Sequence, residues 1–396
     1  MQKQRKIKVI GIGPNGECFY LDEIYSADIL AGGKRLLNFF KNVKCEKIVL
    51  DKNLRETLNE LKGKDSKIVI LASQDPLYFG IGKSLIEIFG QDNLEFYPYL
   101  NSVQLLCAKA KINYEDFVHV SFHGREINEK TIGKIKFNSK IAVLTDKKNN
   151  IKRIAKVLIK YLPENTKIIL GQMIGTKNEN IVETDLISLL KIKPTSLDTF
   201  LIFNEHPYKI DFGIDENEYF HSAGLITKKE IRAVTLSYLN LQKDSILWDI
   251  GAGSGAVSIE AGNFCYEGKV YAIEKDEERV KLIKKNIKKF KTHNVYVVHG
   301  KAPEILKNLE TPDRIFIGGF SGNFLELLEL LYKKFKGIVV ANLVSIEKLN
   351  ILVNFSVLHN LKFSISSLQV NNLNEIGDNH YFKSQNQVYI CKIEFI

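Results

Sequence analysis

Short apolar runs that stop at a small or acidic residue recur along the chain, separated by amphipathic stretches of helical period. KVIGIG (8–13), KIVILAS (67–73) and KIAVLTD (140–146) have the near-continuous apolar character of strands buried on both faces. LRETLNELKGK (54–64) and IKRIAKVLIKYLP (151–163) space their apolar residues three and four apart, and TKIILGQMIG (166–175) returns to the strand pattern. Such alternation predicts βαβ units, a parallel sheet with helices on its faces. The rhythm decays after ETDLISLLKIKPTSLDTFLIFNEHP (183–207), and YKIDFGIDENEYFHSAG (208–224) has neither period while carrying Gly, Asp and Asn. A domain boundary is therefore expected near residues 207–214, which divides the chain into domains 1–210 and 211–396.

Beyond the boundary, TKKEIRAVTLSYLN (227–240) reads as a helix with Thr227 as N-cap and Glu230 closing a capping box. SILWDIGAGSG (245–255), KVYAIEKD (269–276), VYVVHGKAP (295–303) and RIFIGGF (314–320) follow as strands. The tail from 364 onward reads as two strands joined by a long loop. The expected class is α/β, in two domains that do not repeat one another.

Composition narrows the setting. A chain of 396 residues with 45% apolar and 26% charged residues is that of a soluble globular protein of two or three domains. No apolar run approaches the ~18 residues of a membrane span. The basic, then apolar, start lacks the long apolar core of a signal peptide and reads as a first strand. Five scattered cysteines without a CxxC predict reduced thiols, a cytoplasmic location and no metal site. The net charge of +10 favours an anionic partner, but the lysines are spread over helix faces and form no basic arm.

Two glycine loops carry the candidate chemistry. In the second, Asp249 closes an apolar strand before Gly251, Gly253 and Gly255, a spacing of GxGxG where the dinucleotide fingerprint is GxGxxG. Glu274 ends the next strand 23 residues on (274 − 251), the place of an acid that accepts ribose hydroxyls. Asp249 at the loop entry would oppose a pyrophosphate but tolerates the cationic amino acid end of S-adenosylmethionine. S-adenosylmethionine is the better ligand and NAD the alternative.

The stretch LITKKEIRAVTLSYLNL, ILWDIGAGSGAVSIEA, YAIEKD, VHGKAPEIL and PDRIFIGGF, over residues 224–325, resembles the decarboxylating precorrin methyltransferases of cobalamin biosynthesis. That family carries a TKxExR helix ahead of DIGxGxG, a lead-in that generic methyltransferases lack. The resemblance implies a Rossmann-like methyltransferase domain with S-adenosylmethionine contacts at Thr227, Gly251, Ala252, Gly253, Ser254, Gly255, Glu274 and Ala302.

The first loop, VIGIGPNG (9–16), says little alone. With LASQDPLYFGIG (71–82), FYPYLNSVQLLCAKAKI (96–112) and VSFHGRE (120–126) in order, it resembles the tetrapyrrole methylase family, in particular its carbon-5 methylase branch. The resemblance implies two α/β subdomains with S-adenosylmethionine folded in the cleft between them, lined by Pro14, Asp75, Tyr78, Asn101 and Ser102. Gly11 and Gly13 would face the substrate. Gln74 stands where the family has glycine, so a positive φ there would cost about 1 kcal/mol or more; Asn101 replaces a serine. His119 and His123 alternate along a strand; without a third ligand they read as structural or substrate-contacting histidines rather than a metal pair. Arg125 and His123, with Lys228 in the second domain, are the candidate substrate contacts, the guanidinium fork matching a carboxylate.

Together the two resemblances imply a bifunctional methyltransferase with one S-adenosylmethionine in each domain. Its substrate would be a precorrin, with or without cobalt, methylated at carbons 5 and 15 with loss of carbon dioxide from an acetate arm. A homo-oligomer is implied, with no nucleic-acid or membrane partner. The alternatives are an RNA methyltransferase and a corrinoid-binding fusion whose N-terminal site is inactive.

Overall fold

The computed structural model describes residues 6–222 and 225–395. Residues 1–5, 223–224 and 396, which fall within the expected domains and the expected linker, lie outside the described residues. Two compact units are present: residues 1–127 with 139–205, and residues 128–138 with 206–396. A single cut between 207 and 214 would leave 128–138 on the N-terminal piece.

The first unit holds two five-stranded sheets. Strands β1 (Ile7–Ile12), β2 (Ile29–Gly32), β3 (Glu46–Val49), β4 (Ile68–Ser73) and β5 (Leu94–Tyr97) pair in the order β3-β2-β4-β1-β5, all parallel. Val9, Ile10, Val69, Ile70 and Leu71 are buried on both faces, as their unbroken apolar runs require. The second sheet contains β6 (Val118–Ser121), β7 (Lys140–Leu144), β8 (Lys167–Gln172), β9 (Asn180–Asp185) and β10 (Asp198–Phe203) in the order β6-β7-β10-β8-β9. Here the expected all-parallel sheet is corrected. β7 and β8 run the same way, but β10 inserts between them antiparallel to both. Its sequence DTFLIF is as apolar as a parallel strand, so composition does not reveal its direction.

In the second unit β11 (Ile246–Ile250), β12 (Lys269–Glu274), β13 (Val295–His299), β14 (Arg314–Ile317) and β15 (Gly337–Leu343) are parallel. β16 (Lys362–Leu368) follows them, and β19 (Val388–Phe395) lies antiparallel between β15 and β16. The order is β13-β12-β11-β14-β15-β19-β16. It reverses direction between β11 and β14, and a crevice opens outside the strand ends at such a switch point. The loop expected in the tail contains a hairpin of its own, β17 (Asn371–Ile376) with β18 (Asn379–Ser384). Its residues are almost all exposed, so no apolar alternation marks it.

The helix predicted at 227–240 spans Lys229–Leu239, but its N-cap is Lys228 and no side chain caps it. Thr227 is not the cap. Glu216, in the preceding turn, accepts the Lys229 N–H at 2.5 Å and replaces the expected capping box.

Candidate functional site

In the second unit the chain leaves β11 at Asp249–Ile250, turns through 251–255 and enters helix Ala256–Phe264. Gly251, Gly253 and Gly255 all have positive φ, which explains the glycine spacing. A Cβ built on Gly253 meets nothing within 4 Å, so its open side faces space. Gly255 differs: a Cβ there would press on Ile283, and its role is helix packing.

Two adjoining cavities lie over this turn. One, of about 310 Å³, is lined by Glu274, Asp276, Gly300, Ala302 and Ser321 among others. The other, of about 530 Å³, is lined by Thr227, Lys228, Ala252, Gly253 and Ser254, with Asn342 and Lys348 on another side. Gly251, Arg279, Gly319 and Phe320 border both, so the cavities form one cleft. The structure thus gathers Thr227, Lys228, Gly251, Ala252, Gly253, Ser254, Glu274 and Ala302 at one cleft, and leaves Gly255 outside the lining.

Glu274 is 4% exposed. Its Oε2 accepts the Gly253 N–H at 2.9 Å, and its Oε1 accepts those of Lys275 and Asp276 at 2.9 and 3.0 Å. The carboxylate is therefore held by three backbone donors beside the smaller cavity, with one of its roughly four lone-pair sites, on Oε2, left for a ligand hydroxyl. Asp249 is fully buried; Ser258 donates to its Oδ2, and its Oδ1 has no hydrogen-bond partner among the described residues. Burial, aided by the charge of Glu274, pushes its pKa up to about 7 against the hydrogen bond from Ser258. An orphaned acceptor at the foot of a glycine turn fits a cationic group of a bound ligand.

A buried ion pair fixes one wall of the cleft. Arg232 and Glu260 are both 0% exposed, with Nε 2.8 Å from Oε1. Glu260 also accepts from Gly213 N, Ile214 N and Tyr219 OH at 2.9, 3.2 and 3.1 Å. Arg232 donates its other N–H groups to the carbonyls of Thr227 and Ile214. Asn286 adds a clamp, donating to the carbonyls of Phe220 and Ser254 at 2.9 Å each. The arginine of TKxExR thus holds the segment that carries Thr227 and Lys228.

In the first unit, loops from both sheets meet. A Cβ on Gly11 would lie 1.8 Å from the Gln74 carbonyl, so glycine there permits backbone contact between β1 and the loop after β4. Gly11 is a packing glycine, and a Cβ on Gly13 would strike Glu17 and Tyr99. At neither position does the Cβ direction open onto free space. Gln74 has φ +57°, the strained conformation its glycine relatives predicted. Its N–H bonds Ile12 O at 2.9 Å, and its carbonyl accepts from Tyr99 N at 3.1 Å.

Asp75 accepts the Leu77 N–H at 2.9 Å. Tyr78 OH lies 2.5 Å from His119 Nδ1. Burial raises the Tyr78 pKa and lowers that of His119, so a neutral tyrosine faces a neutral imidazole. His123 is exposed, 3.4 Å from Thr145 O, and does not join His119. Asn101 caps helix Ser102–Ala110 in a reciprocal box with Gln104, which occupies its Oδ1. Ser102 accepts from Thr199 Oγ1 at 3.1 Å. Arg125 stacks 5.0 Å over Phe79. Pro14 packs at Gly175 and takes a contact from Arg35, which also donates to Ser73 at 3.1 Å. Sequence reasoning missed Arg35, as it missed Arg279, Asn342 and Lys348. No motif surrounds them, and only the fold brings them to the loops.

The parallel sheet with its switch point, acid-ended first strand, glycine turn and buried glutamate define an S-adenosylmethionine-dependent methyltransferase module. Residues 218–394 match the family model of the precorrin methyltransferase domain, and residues 21–190 match that of the tetrapyrrole (corrin/porphyrin) methylases. The chain is 35% identical over 182 residues to a probable cobalt-precorrin-6B C(15)-methyltransferase (decarboxylating) of Pyrobaculum calidifontis, covering 45% of this chain and 93% of that one. It is 33% identical over 180 residues to the cobalt-precorrin-7 C(5)-methyltransferase of Salmonella typhimurium, covering 44% of this chain and 88% of that one. Among the relatives that align across both units is the precorrin-6Y C(5,15)-methyltransferase [decarboxylating] of a Sinorhizobium species, 28% identical over 352 residues, 86% of this chain and 84% of that one. The chain belongs to the precorrin methyltransferase family, with a tetrapyrrole methylase unit followed by a decarboxylating-type unit. Among the described residues no helix is long and apolar enough to cross a membrane, and no group of three or more His, Cys, Asp or Glu could hold a metal.

Proposed function

We propose that this chain uses S-adenosylmethionine twice, once in each unit, to methylate a precorrin-6-type ring at carbon 5 and carbon 15. Carbon dioxide is released from an acetate arm in the second unit. The observation that carries the reading is the cleft of the second unit. Its larger cavity is lined by three cations, Lys228, Arg279 and Lys348, and by no acid among the described residues. It adjoins the smaller cavity under Glu274. A nucleoside-sized recess beside a cation-lined chamber suits a sulfonium cofactor and a polycarboxylate acceptor.

The cofactor supplies an electrophilic methyl whose carbon–sulfur bond breaks with the electron pair left on sulfur. Glu274 would accept a ribose hydroxyl, Asp249 Oδ1 would face the amino acid end, and Ala302 would flank the base. The chain's task is to hold a nucleophilic ring carbon in line, an advantage of up to ~7–11 kcal/mol. On decarboxylation the carbon–carbon pair passes into the conjugated ring, so no further electron sink is required of the protein. In the first unit Pro14, Asp75, Tyr78, Asn101 and Ser102 would line the cofactor, with His123 and Arg125 toward substrate carboxylates. A cytoplasmic homo-oligomer is part of the same reading.

Incubation with a precorrin-6-type substrate and methyl-labelled S-adenosylmethionine tests it by mass. Gain of two methyl groups with loss of one carbon dioxide is expected. Label entering RNA and not the tetrapyrrole would overturn it.

A further inference from the structure

Lys348 lies far from every motif, 97 residues after Gly251 (348 − 251), yet it borders the same cavity. It sits in the first turn of helix Ile346–Leu358, which follows β15. Its Nζ donates to the carbonyl of Phe320 at 2.6 Å, and Phe320 belongs to the loop shared by the two cavities. One N–H is thus used to pin the ammonium at the junction of the cleft, and two remain to donate. Lys348 makes no ion pair among the described residues, nor do Lys228 and Arg279. The lining of this space of about 530 Å³ carries these three positive charges and no acid, which favours an anionic occupant. Around them the cavity mouth is apolar and exposed at Leu225 and Val344, which suits the face of a conjugated ring whose periphery carries the anions.

Resting on the methyltransferase reading above, we propose that Lys348 is the anchor for a side-chain carboxylate of the tetrapyrrole in the second unit. The pinned ammonium grips one carboxylate at the edge of the ring and sets which ring carbon faces the methyl donor. Lys348 is a specificity residue for substrate and has no part in holding the cofactor. Selectivity follows from the same contact. An ester or decarboxylated arm at that position leaves the ammonium facing an apolar group, so such a substrate should be disfavoured.

The test uses the full chain with Lys348→Ala and Lys348→Arg. Three readouts are taken: carbon dioxide release against tetrapyrrole concentration, S-adenosylmethionine affinity by calorimetry, and equilibrium binding of an octacarboxylic porphyrin by fluorescence. Lys348→Ala should raise the KM for tetrapyrrole about tenfold, as for a lost hydrogen bond to a charged group, while cofactor affinity stays within about twofold. Its KM should also depend less steeply on salt, and Lys348→Arg should restore most of the loss. Unchanged cofactor affinity shows that the variant is folded. An unaltered KM, or a parallel loss of cofactor affinity, would overturn the anchor, the second result placing Lys348 on the cofactor's own carboxylate. If the wild-type chain releases no carbon dioxide, the methyltransferase reading fails. The porphyrin titration, read by quenching of Trp248 in the second unit, then still decides the anchor, because equal binding there by wild type and Lys348→Ala overturns it.

Discussion

Glu260→Ala should be among the most damaging single changes in the second unit, and the structure sets its size. The substitution removes the carboxylate that faces Arg232 Nε at 2.8 Å, with both residues fully buried. Breaking a buried pair from one side costs about 3–5 kcal/mol, because a charge is left without its partner. Glu216, 3.6 Å from Arg232 Nη1, offsets part of that. The Tyr219 hydroxyl and the amides of Gly213 and Ile214 lose their acceptor and add to the cost. A net loss near 4 kcal/mol is expected, on the scale of these effects. With a urea slope of about 2 kcal/mol/M, the unfolding midpoint should fall by roughly 2 M. Trp248 makes the assay specific. It is the one tryptophan of the chain and is buried in the core of the second unit, so its fluorescence reports that unit. The paired variant Arg232→Met, Glu260→Leu removes both ions and should recover much of the loss, since an unpaired ion no longer has to be buried. A midpoint shift below about 0.5 M for the single variant, or a paired variant no more stable than it, would refute the reasoning.

Gly253→Arg should abolish carbon dioxide release while carbon-5 methylation survives, because Gly253 has φ +59° and its open side borders the cleft; loss of both activities would argue against separate sites. Glu274→Ala should weaken S-adenosylmethionine binding tenfold or more at one of two calorimetric sites, matching about 1.5–3 kcal/mol for bonds to a charged acceptor. Two unchanged sites would remove Glu274 from ribose recognition. Asp249, with its pKa pushed up to about 7, stays protonated in the folded chain where the unfolded chain is already ionised. Its stabilising contribution is full below about pH 4 and is lost as pH rises to 7. Asp249→Asn escapes that loss, so its stability relative to wild type should climb from pH 4 to 7 and then level. A gap that is flat across this range in urea titrations would contradict the assignment. Transfer RNA should bind weakly and dissociate as salt rises; tight binding of one RNA at physiological salt would favour an RNA substrate.

Strands β1, β4, β7, β8 and β11 to β14 were legible because near-continuous apolar runs mark them, whereas β2, β3, β5, β9, β10 and β15 were not read from the sequence, β3 being largely exposed. Gly251, Gly253 and Glu274 were legible for a related reason: a sharp turn and a strand-end acid impose residue types at fixed spacing. Three features were hidden by their physics. The direction of β10 depends on its neighbours, not on its composition. The hairpin β17–β18 is exposed on nearly every residue and so lacks the alternation that burial imposes. Thr227 looked like a helix cap because Glu230 completes the pattern, but Glu216 of the preceding turn takes the first free N–H. Lys348 and Arg279 carry no local signature, since a lysine or arginine on a helix usually faces water and only tertiary structure turns these two toward a cavity.

The placing of β19 between β15 and β16 has a consequence in time. Every other strand of that sheet precedes it in the chain, so the sheet cannot close until β19 has been synthesised. From residue 206 to 395, translation at about 5–20 residues per second occupies roughly 10–40 s. Over the last part of that interval β15, whose end forms one side of the cleft, is an open edge of apolar sequence, the kind of surface that recruits strands from other chains. Nascent chains of this protein should therefore be most prone to aggregate, and most in need of a chaperone, in the seconds before β19 emerges from the ribosome.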